Sequence, residues 1–355
     1  MMYLGLDVHL KSTVWCLLDQ TGEIAQRGKV RTTVEELATL VARLSADTEL
    51  LAGQEVGKLS YLVHDVLTTV GVKLLSFNAY QMRMIASSRK KTDKRDAYWI
   101  AKALQTGMMP HPVFIPTGEV RELRGLLATR AALISERKRW TVRASCALTA
   151  SGATVKSTAG TRRWLDRALE SVDGIEGYLG DRLELCERMH AHLSSEIAEL
   201  DQEIRSLSKG VEAIQRLQTI PAVGPQVAVT IYAWVGDVSR FPNARALASY
   251  AGLVPSVRQS GSQLTHGHIT GEGSKPLRST LIQAGHVLLW RCQSNTAAPL
   301  RALAERVKAN RGRRKIAVVA AARHILKIAF YVLRDETSYN PALLRPSQEV
   351  QQAAG

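Results

Sequence analysis

The first 77 residues carry an order of apolar patterns that few folds accommodate. Residues 2–8 (MYLGLDV), 13–18 (TVWCLL) and 24–31 (IAQRGKVR) read as three strands in immediate succession. The run Asp19-Gln20-Thr21-Gly22-Glu23 supplies a hairpin turn between the last two. Val34, Leu37, Leu40, Val41 and Leu44 then follow helical spacing over residues 34–44. A fourth strand is expected at 49–55, a helix near 58–70 and a fifth strand at 72–77. A meander of three strands followed by strands alternating with helices predicts an α/β domain.

That order is the order of a ribonuclease-H-like domain, although other α/β folds also begin with a hairpin. Pro110, Pro112 and Pro116 break the chain and set a boundary near 110–117. Beyond it, a charged helix is expected from Glu119 to about Leu148, then a Gly/Ser/Thr-rich stretch from Ser151 to Gly160. A second long helix runs over 178–208, with Leu183, Met189, Leu193, Ile197, Leu200, Ile204 and Leu207 at steps of three and four. This spacing suits a coiled coil or an antiparallel helix pair, within one chain or between two. The region 211–340 reads as mainly helical and punctuated by glycine, and 341–355 as a loose tail. Four segments result: an α/β domain at 1–112, a helical coiled-coil region at 113–210, a mainly α domain at 211–340 and the tail at 341–355.

Composition narrows the class of function. Hydrophobic residues at 45% and charged residues at 22% describe an ordinary globular protein. No apolar run approaches a membrane span and no basic-then-apolar signal opens the chain, so a cytoplasmic protein without a membrane partner is expected. The four cysteines (Cys16, Cys146, Cys186, Cys292) form no Cys-x-x-Cys pair, which argues against structural zinc and for buried free thiols. The formal net charge is +15, and it is segregated. Residues 1–60 hold 6 Lys/Arg against 8 Asp/Glu, residues 81–145 hold 14 against 5, and residues 291–334 hold 11 against 1. Such blocks suit a phosphate-binding surface better than a uniform solubilising excess.

Four acids stand out. Asp7 lies inside an apolar first strand, where an unpartnered charge is costly. Glu55 ends the fourth strand, in Gly53-Gln54-Glu55-Val56-Gly57. Asp93 and Asp96, in Lys91-Thr92-Asp93-Lys94-Arg95-Asp96-Ala97, share one helix face at i, i+3. Beside Lys90, Lys91, Lys94 and Arg95 these two acids, taken alone, read better as a solvated charged face. Taken together the four predict a pocket for two divalent ions. Mg²⁺ is the natural choice for an all-oxygen ligand set, with the neighbouring cations on the phosphates.

Downstream, Ile220-Pro221-Ala222-Val223-Gly224 precedes an apolar helix and resembles a helix-hairpin-helix turn, whose backbone N–H groups can meet a phosphate. Ala251-Gly252-Leu253-Val254-Pro255 leads into Ser256-Val257-Arg258-Gln259-Ser260-Gly261-Ser262, read as a polar loop. On chemistry alone Ser260 is a turn residue, and His266 and His268 are as readily solvent-facing as functional.

In this order, Gly5-Leu6-Asp7-Val8-His9, Glu55, Lys-Thr-Asp-Lys-Arg-Asp-Ala, Ile220-Pro221-x-x-Gly224, Ala251 to Pro255, Gln259-Ser260-Gly261 and Leu277-Arg278 resemble the insertion-sequence family 110 and 1111 transposases over almost the whole chain. The resemblance implies a RuvC-like (Holliday-junction-resolvase-like) N-terminal domain whose Asp-Glu-Asp-Asp set maps onto Asp7, Glu55, Asp93 and Asp96. It also implies a C-terminal transposase domain with Ser260 as nucleophile; Ser262 stands where a second glycine is common and is the alternate. Family membership further implies a structured noncoding guide RNA, donor and target DNA, and a homo-oligomer, dimer or tetramer. Nucleic-acid contacts are expected at Lys90, Lys91, Lys94, Arg95, Arg258, Arg311, Arg313, Arg314 and Lys315. The expected reaction is metal-assisted DNA cutting and rejoining through a phosphoserine. The alternatives are a metal-dependent junction nuclease that uses water, and a non-catalytic nucleic-acid-binding protein.

Overall fold

A computed structural model describes residues 1–85, 93–152, 177–260 and 263–344, and divides the chain into two units, Met1–Pro116 and Thr117–Gly355. In the first unit the alternating segments become strands β1 (Met2–Val8), β2 (Ser12–Leu18), β3 (Ile24–Arg31), β4 (Leu50–Glu55) and β5 (Lys73–Phe77). The sheet order is β3-β2-β1-β4-β5, antiparallel from β3 to β1 and parallel from β1 to β5. This is the mixed α/β sheet the pattern predicts, with each strand within a residue or two of its expected bounds.

Helices α1 (Val34–Ser45) and α2 (Ser60–Thr69) cover one face of the sheet. Thr33 caps α1 by accepting from the Glu36 N–H at 3.3 Å, which fixes where the helix starts. Leu37, Leu40, Val41, Val63 and Leu67 bury against Leu4, Leu6 and Ala52. A short helix α3 (Ala79–Ile85), not anticipated from the sequence, follows β5, and α4 (Asp93–Thr106) lies on the opposite face of the sheet. There Ala97 and Ala101 meet Val14, Cys16 and Leu18, while Ile100 and Leu104 meet Phe77.

The second unit is mostly helical. Helices α5 (Gly118–Ala150) and α6 (Tyr178–Leu207) pair antiparallel within the chain. Arg130 donates to both carboxylate oxygens of Asp201 at 2.5 and 3.2 Å, and Arg137 to Ser194 Oγ at 3.2 Å. These contacts pair α6 with α5 of the same chain. At one end of the pair Leu123, Leu127 and Ile204 join the core formed by α7 (Glu212–Gln218), α8 (Pro225–Val235), α9 (Ala244–Tyr250), α10 (Lys275–Trp290), α11 (Ala298–Arg311) and α12 (Arg314–Arg334). Buried Arg124 ties α5 to the end of α8, donating to the carbonyls of Ala233 (2.7 Å) and Trp234 (3.0 Å) with its guanidinium over the Trp234 ring.

Three expectations need correction. The polar stretch after Pro255 is a β-hairpin rather than a loop, with β6 (Pro255–Ser260) antiparallel to β7 (Gln263–Ile269). One described helix, α12, is long and apolar enough by length and composition to cross a membrane, although no such run was expected; 56% of its apolar window is buried and Ala321, Ala322, Ile325 and Leu326 lie in the core. Of the four free thiols, Cys16 and Cys186 are buried as expected, but Cys292 is only partly so and Cys146 is exposed.

Between α7 and α8, Ala222 holds φ at 66°, a left-handed conformation that costs an L-residue with a Cβ about 1–2 kcal/mol. Ala222→Gly is therefore expected to stabilise the protein by about 1 kcal/mol in urea unfolding at unchanged m-value. An unchanged or lower midpoint would contradict the strain.

Candidate active site and its relatives

The site begins with two glycines. Gly5 of β1 and Gly53 of β4 pair directly across the parallel ladder, and both face α4. A Cβ on Gly5 would collide with the Ala97 carbonyl oxygen and stand 2.6 Å from the Ala101 nitrogen. A Cβ on Gly53 would stand 2.9 Å from Leu104 Cδ1 and 3.0 Å from Ile100 Cγ2. The missing side chain at Gly5 lets the α4 backbone approach the sheet, and the one at Gly53 makes room for Ile100 and Leu104.

Strand alternation then places Asp7 on the face of Gly5, and Glu55 on the face of Gly53. Each residue is the next after the Leu6–Gln54 pair, so the two acids stand level at the C-terminal ends of adjacent parallel strands. The helix runs opposite to β1. Its C-terminal Gln105 donates to the Gln20 carbonyl (3.1 Å), in the turn that follows β2, beyond the start of β1. Its N-terminus therefore lies toward the strand ends that carry Asp7 and Glu55. Asp96 immediately precedes Ala97, the residue over Gly5, and is partly buried. Asp93 begins the helix, and its side chain lies outside the described residues.

The surroundings hold these groups in place. His9 Nε2 donates to Asp7 Oδ2 at 3.0 Å, and the Asp7 side chain is 19% exposed. The turn carrying His9 is fastened by Thr32 Oγ1 donating to the His9 carbonyl (2.8 Å) and by the Thr13–Thr32 hydroxyl pair (2.9 Å). On the other face, fully buried Gln54 donates to Ser76 Oγ (3.0 Å) and the Ser60 carbonyl (3.3 Å). Ser60 Oγ in turn accepts from the Gly57 N–H (2.8 Å), which anchors the loop after Glu55. None of His9, Gln54, Ser60 or the glycine pair was singled out as functional from sequence. The Gly5-Leu6-Asp7-Val8-His9 spacing, which puts three residues on one strand face, was the available signal.

Carboxylates from two strand ends and a helix start are of the chemical type that a hard divalent cation takes. Among the described residues no group of three His, Cys, Asp or Glu side chains stands close enough to hold one.

The second unit carries the serine. Ser260 ends β6 and pairs with Gln263, so it lies at the hairpin tip; its side chain, like those of Arg258 and His266, falls outside the described residues, as do Gly261 and Ser262. The base of this hairpin is firmly held. Gly252 has φ +65°, and a Cβ there would strike the Glu272 carbonyl and stand 2.6 Å from Arg278 Nη1. Arg278 donates from Nη1 to the carbonyls of Ala251 (3.1 Å) and Glu272 (3.3 Å), and the Thr270 N–H donates to the Val254 carbonyl (2.9 Å). The Ala251–Pro255 and Leu277-Arg278 motifs are thus one clasp beneath the hairpin. Of the expected nucleic-acid contacts, Arg95, Arg313, Arg314 and Lys315 are exposed. Lys90 and Lys91 lie outside the described residues, as do the side chains of Lys94 and Arg311.

Both units match known transposases. A family model described as a transposase, of the IS110 Asp-Glu-Asp-Asp type, matches residues 4–151. A second, described as the transposase IS116/IS110/IS902 family, matches residues 214–301. The chain belongs to the IS110/IS1111 transposase family. This transposase is 29% identical over 257 residues to the transposase for insertion sequence element IS1111A of Coxiella burnetii, covering 70% of this chain and 68% of that one. It is 28% identical over 255 residues to the transposase for element IS1328 of Yersinia enterocolitica, covering 70% and 74%. Over 154 residues it is 28% identical to the pilin gene-inverting protein of Moraxella bovis, covering 42% and 47%. The enzyme is accordingly a DNA transposase, and its first unit is of the ribonuclease-H-like class that the Asp-Glu-Asp-Asp match carries.

The Gly5–Ala97 contact makes a direct test of this geometry. Gly5→Ala is expected to cost on the order of 2–3 kcal/mol and to abolish DNA strand transfer, whereas Gly57→Ala, where a Cβ meets nothing within 4 Å, leaves the fold intact. Thermal unfolding and a strand-transfer assay read both variants.

Proposed function

We propose that the transposase is an RNA-guided recombinase that cuts and rejoins DNA through a covalent phosphoserine. Asp7, Glu55, Asp93 and Asp96 would hold two Mg²⁺ ions, which when bound would supply positive charge to the attacking and leaving oxygens of the scissile phosphodiester. One observation carries the metal half of this reading: the glycine pair draws the N-terminus of α4 to the strand ends of Asp7 and Glu55. His9 steadies Asp7, and the Gln54–Ser60–Ser76 network steadies the loop after Glu55.

In the second half, the Ser260 hydroxyl attacks phosphorus. As the new P–O bond forms and the old one breaks, the serine proton ends on the displaced DNA oxygen, which leaves as a hydroxyl with the old bond's electrons. The ester keeps the bond energy for rejoining. A hairpin clasped at its base by Arg278 suits this role because it presents the tip on a fixed support. Ser262, two residues on, is the alternate nucleophile.

Charge placement supports nucleic-acid partners. Arg313, Arg314 and Lys315 are exposed at the start of α12, where the helix dipole disfavours cations and a phosphate would relieve the conflict. The N-terminus of α8 has no side-chain cap, which leaves backbone N–H groups available to a phosphate in the manner of a helix-hairpin-helix. The guide RNA and assembly into a dimer or tetramer complete this reading: base pairing would choose the sequence, and the protein would bind backbone and do chemistry.

Trapping on a nicked suicide substrate tests the scheme. The wild type and Ser262→Ala are expected to form a protein–DNA adduct, Ser260→Ala to form none, and Asp7→Asn to lose at least a hundredfold in rate. An adduct at normal yield from Ser260→Ala would remove that serine. Cleavage without any adduct in the wild type would favour a water-using nuclease.

A further inference from the structure

The register of the sheet carries Asp7 into a row that reaches the sheet edge. Asp7 pairs with Val14 of β2, and Val14 pairs with Lys29 of β3. In the next row of the same face, Gly5 pairs with Cys16, and Cys16 with Arg27. Val14 and Cys16 pack under Ala97 and Ala101, so this is the face of α4 and of Asp7. The alternate residues of β3 point the other way: Gln26 accepts from Arg43 of α1 (3.1 Å), and Val30 packs in the core beneath α1.

Electrostatics agree with this placement. Burial pushes the Cys16 thiol up, and the Arg27 guanidinium acts in the opposite direction. Helix α4 rests on β1, β2 and β4. Arg27 and Lys29 are both exposed, and no ion pair engages either among the described residues. Arg31, one step further along β3, is held by Glu36 at 2.6 Å. No acid lies between Ile24 and Arg31. Exposed Arg95, on the first turn of α4, adds a cation near the Asp96 end of the same face. With strands about 4.8 Å apart, Lys29 lies roughly 10 Å from Asp7 across the sheet, and Arg27 about 7 Å further along β3.

We propose that Arg27 and Lys29 form a phosphate-binding track on β3 that holds the DNA backbone as it runs across the sheet toward Asp7 and Glu55. The occupant is DNA rather than RNA because the strand at the carboxylates is the one being cut; in this the inference rests on the function proposed above. Two side chains on one strand, Lys29 level with Asp7 and Arg27 one row further along, grip sugar–phosphate without reading bases.

The test uses the full chain and a fluorescent 40-base-pair duplex, titrated between about 50 and 200 mM salt. Each lost phosphate contact lowers the slope of log K against log salt by about 0.9, so Arg27→Gln/Lys29→Gln should lower it by roughly 2 and weaken binding about tenfold or more at 0.1 M. Arg27→Lys, which keeps the charge, should keep the wild-type slope, and both variants should keep the wild-type melting temperature. A double variant with the wild-type slope overturns the track. So does a loss confined to a duplex RNA of equal length, or a wild type that binds no DNA. Adduct formation by the wild type is read separately, so failure of the track is distinguishable from failure of the phosphoserine reading.

Discussion

The approach of α4 to the sheet, with its backbone against Gly5 and its Ile100 and Leu104 side chains against Gly53, is the contact that positions the candidate site of the first unit. Without it Asp7 and Glu55 are two acids at strand ends, and the helix acids have no fixed relation to them. A methyl group on Gly5 displaces the helix axis, and every carboxylate on that helix moves with it. Asp7 and Glu55 stand at strand ends toward which the N-terminus of α4 is directed, and the positive end of a helix dipole favours negative charge.

The two units solve the same problem by different means. In the first, the candidate acids are set by strand register and a close helix. In the second, the serine-bearing hairpin has no sheet to lie on, and its precision comes from its base. Gly252, Arg278 and the Ser274 N–H bonded to the Tyr250 carbonyl (2.9 Å) bind the chain entering the hairpin to the chain leaving it. A guanidinium joining two carbonyls from different segments does there what a ladder of backbone bonds does in β1 and β4.

Much of this was legible in residue patterns, for a definable reason. β1, β2, β4 and β5 are buried on at least one face and so write their periodicity into apolar residues, and the adjacency of Asp7 and Glu55 followed from strand order. The hairpin was illegible because Gln259-Ser260-Gly261-Ser262-Gln263 is polar throughout, so no alternation marks a strand. The glycine pair was visible as letters but not as a contact, since a glycine in a strand signals a bulge, a bend or a close neighbour with equal force. The charge of β3 was hidden by its neighbours: residues 1–60 carry more acids than bases, and only the pairing register separates Arg27 and Lys29 from them. Ser260 owes its assignment to family likeness, because a nucleophile on a polar turn has no signature of its own.

The paired helices α5 and α6 have a consequence for how stability is distributed. At 33 residues α5 extends for about 50 Å, yet only its first turns, through Leu123, Arg124 and Leu127, belong to the core of the unit. Farther out, among the described residues, the two helices meet each other through the Arg137–Ser194 bond, and Ala144, Ala147, Leu183 and Cys186 are buried there. Opening free energy must therefore decline along the pair, and backbone amides should exchange with solvent in a gradient that is slowest at the Arg124 end and quickens with distance from it.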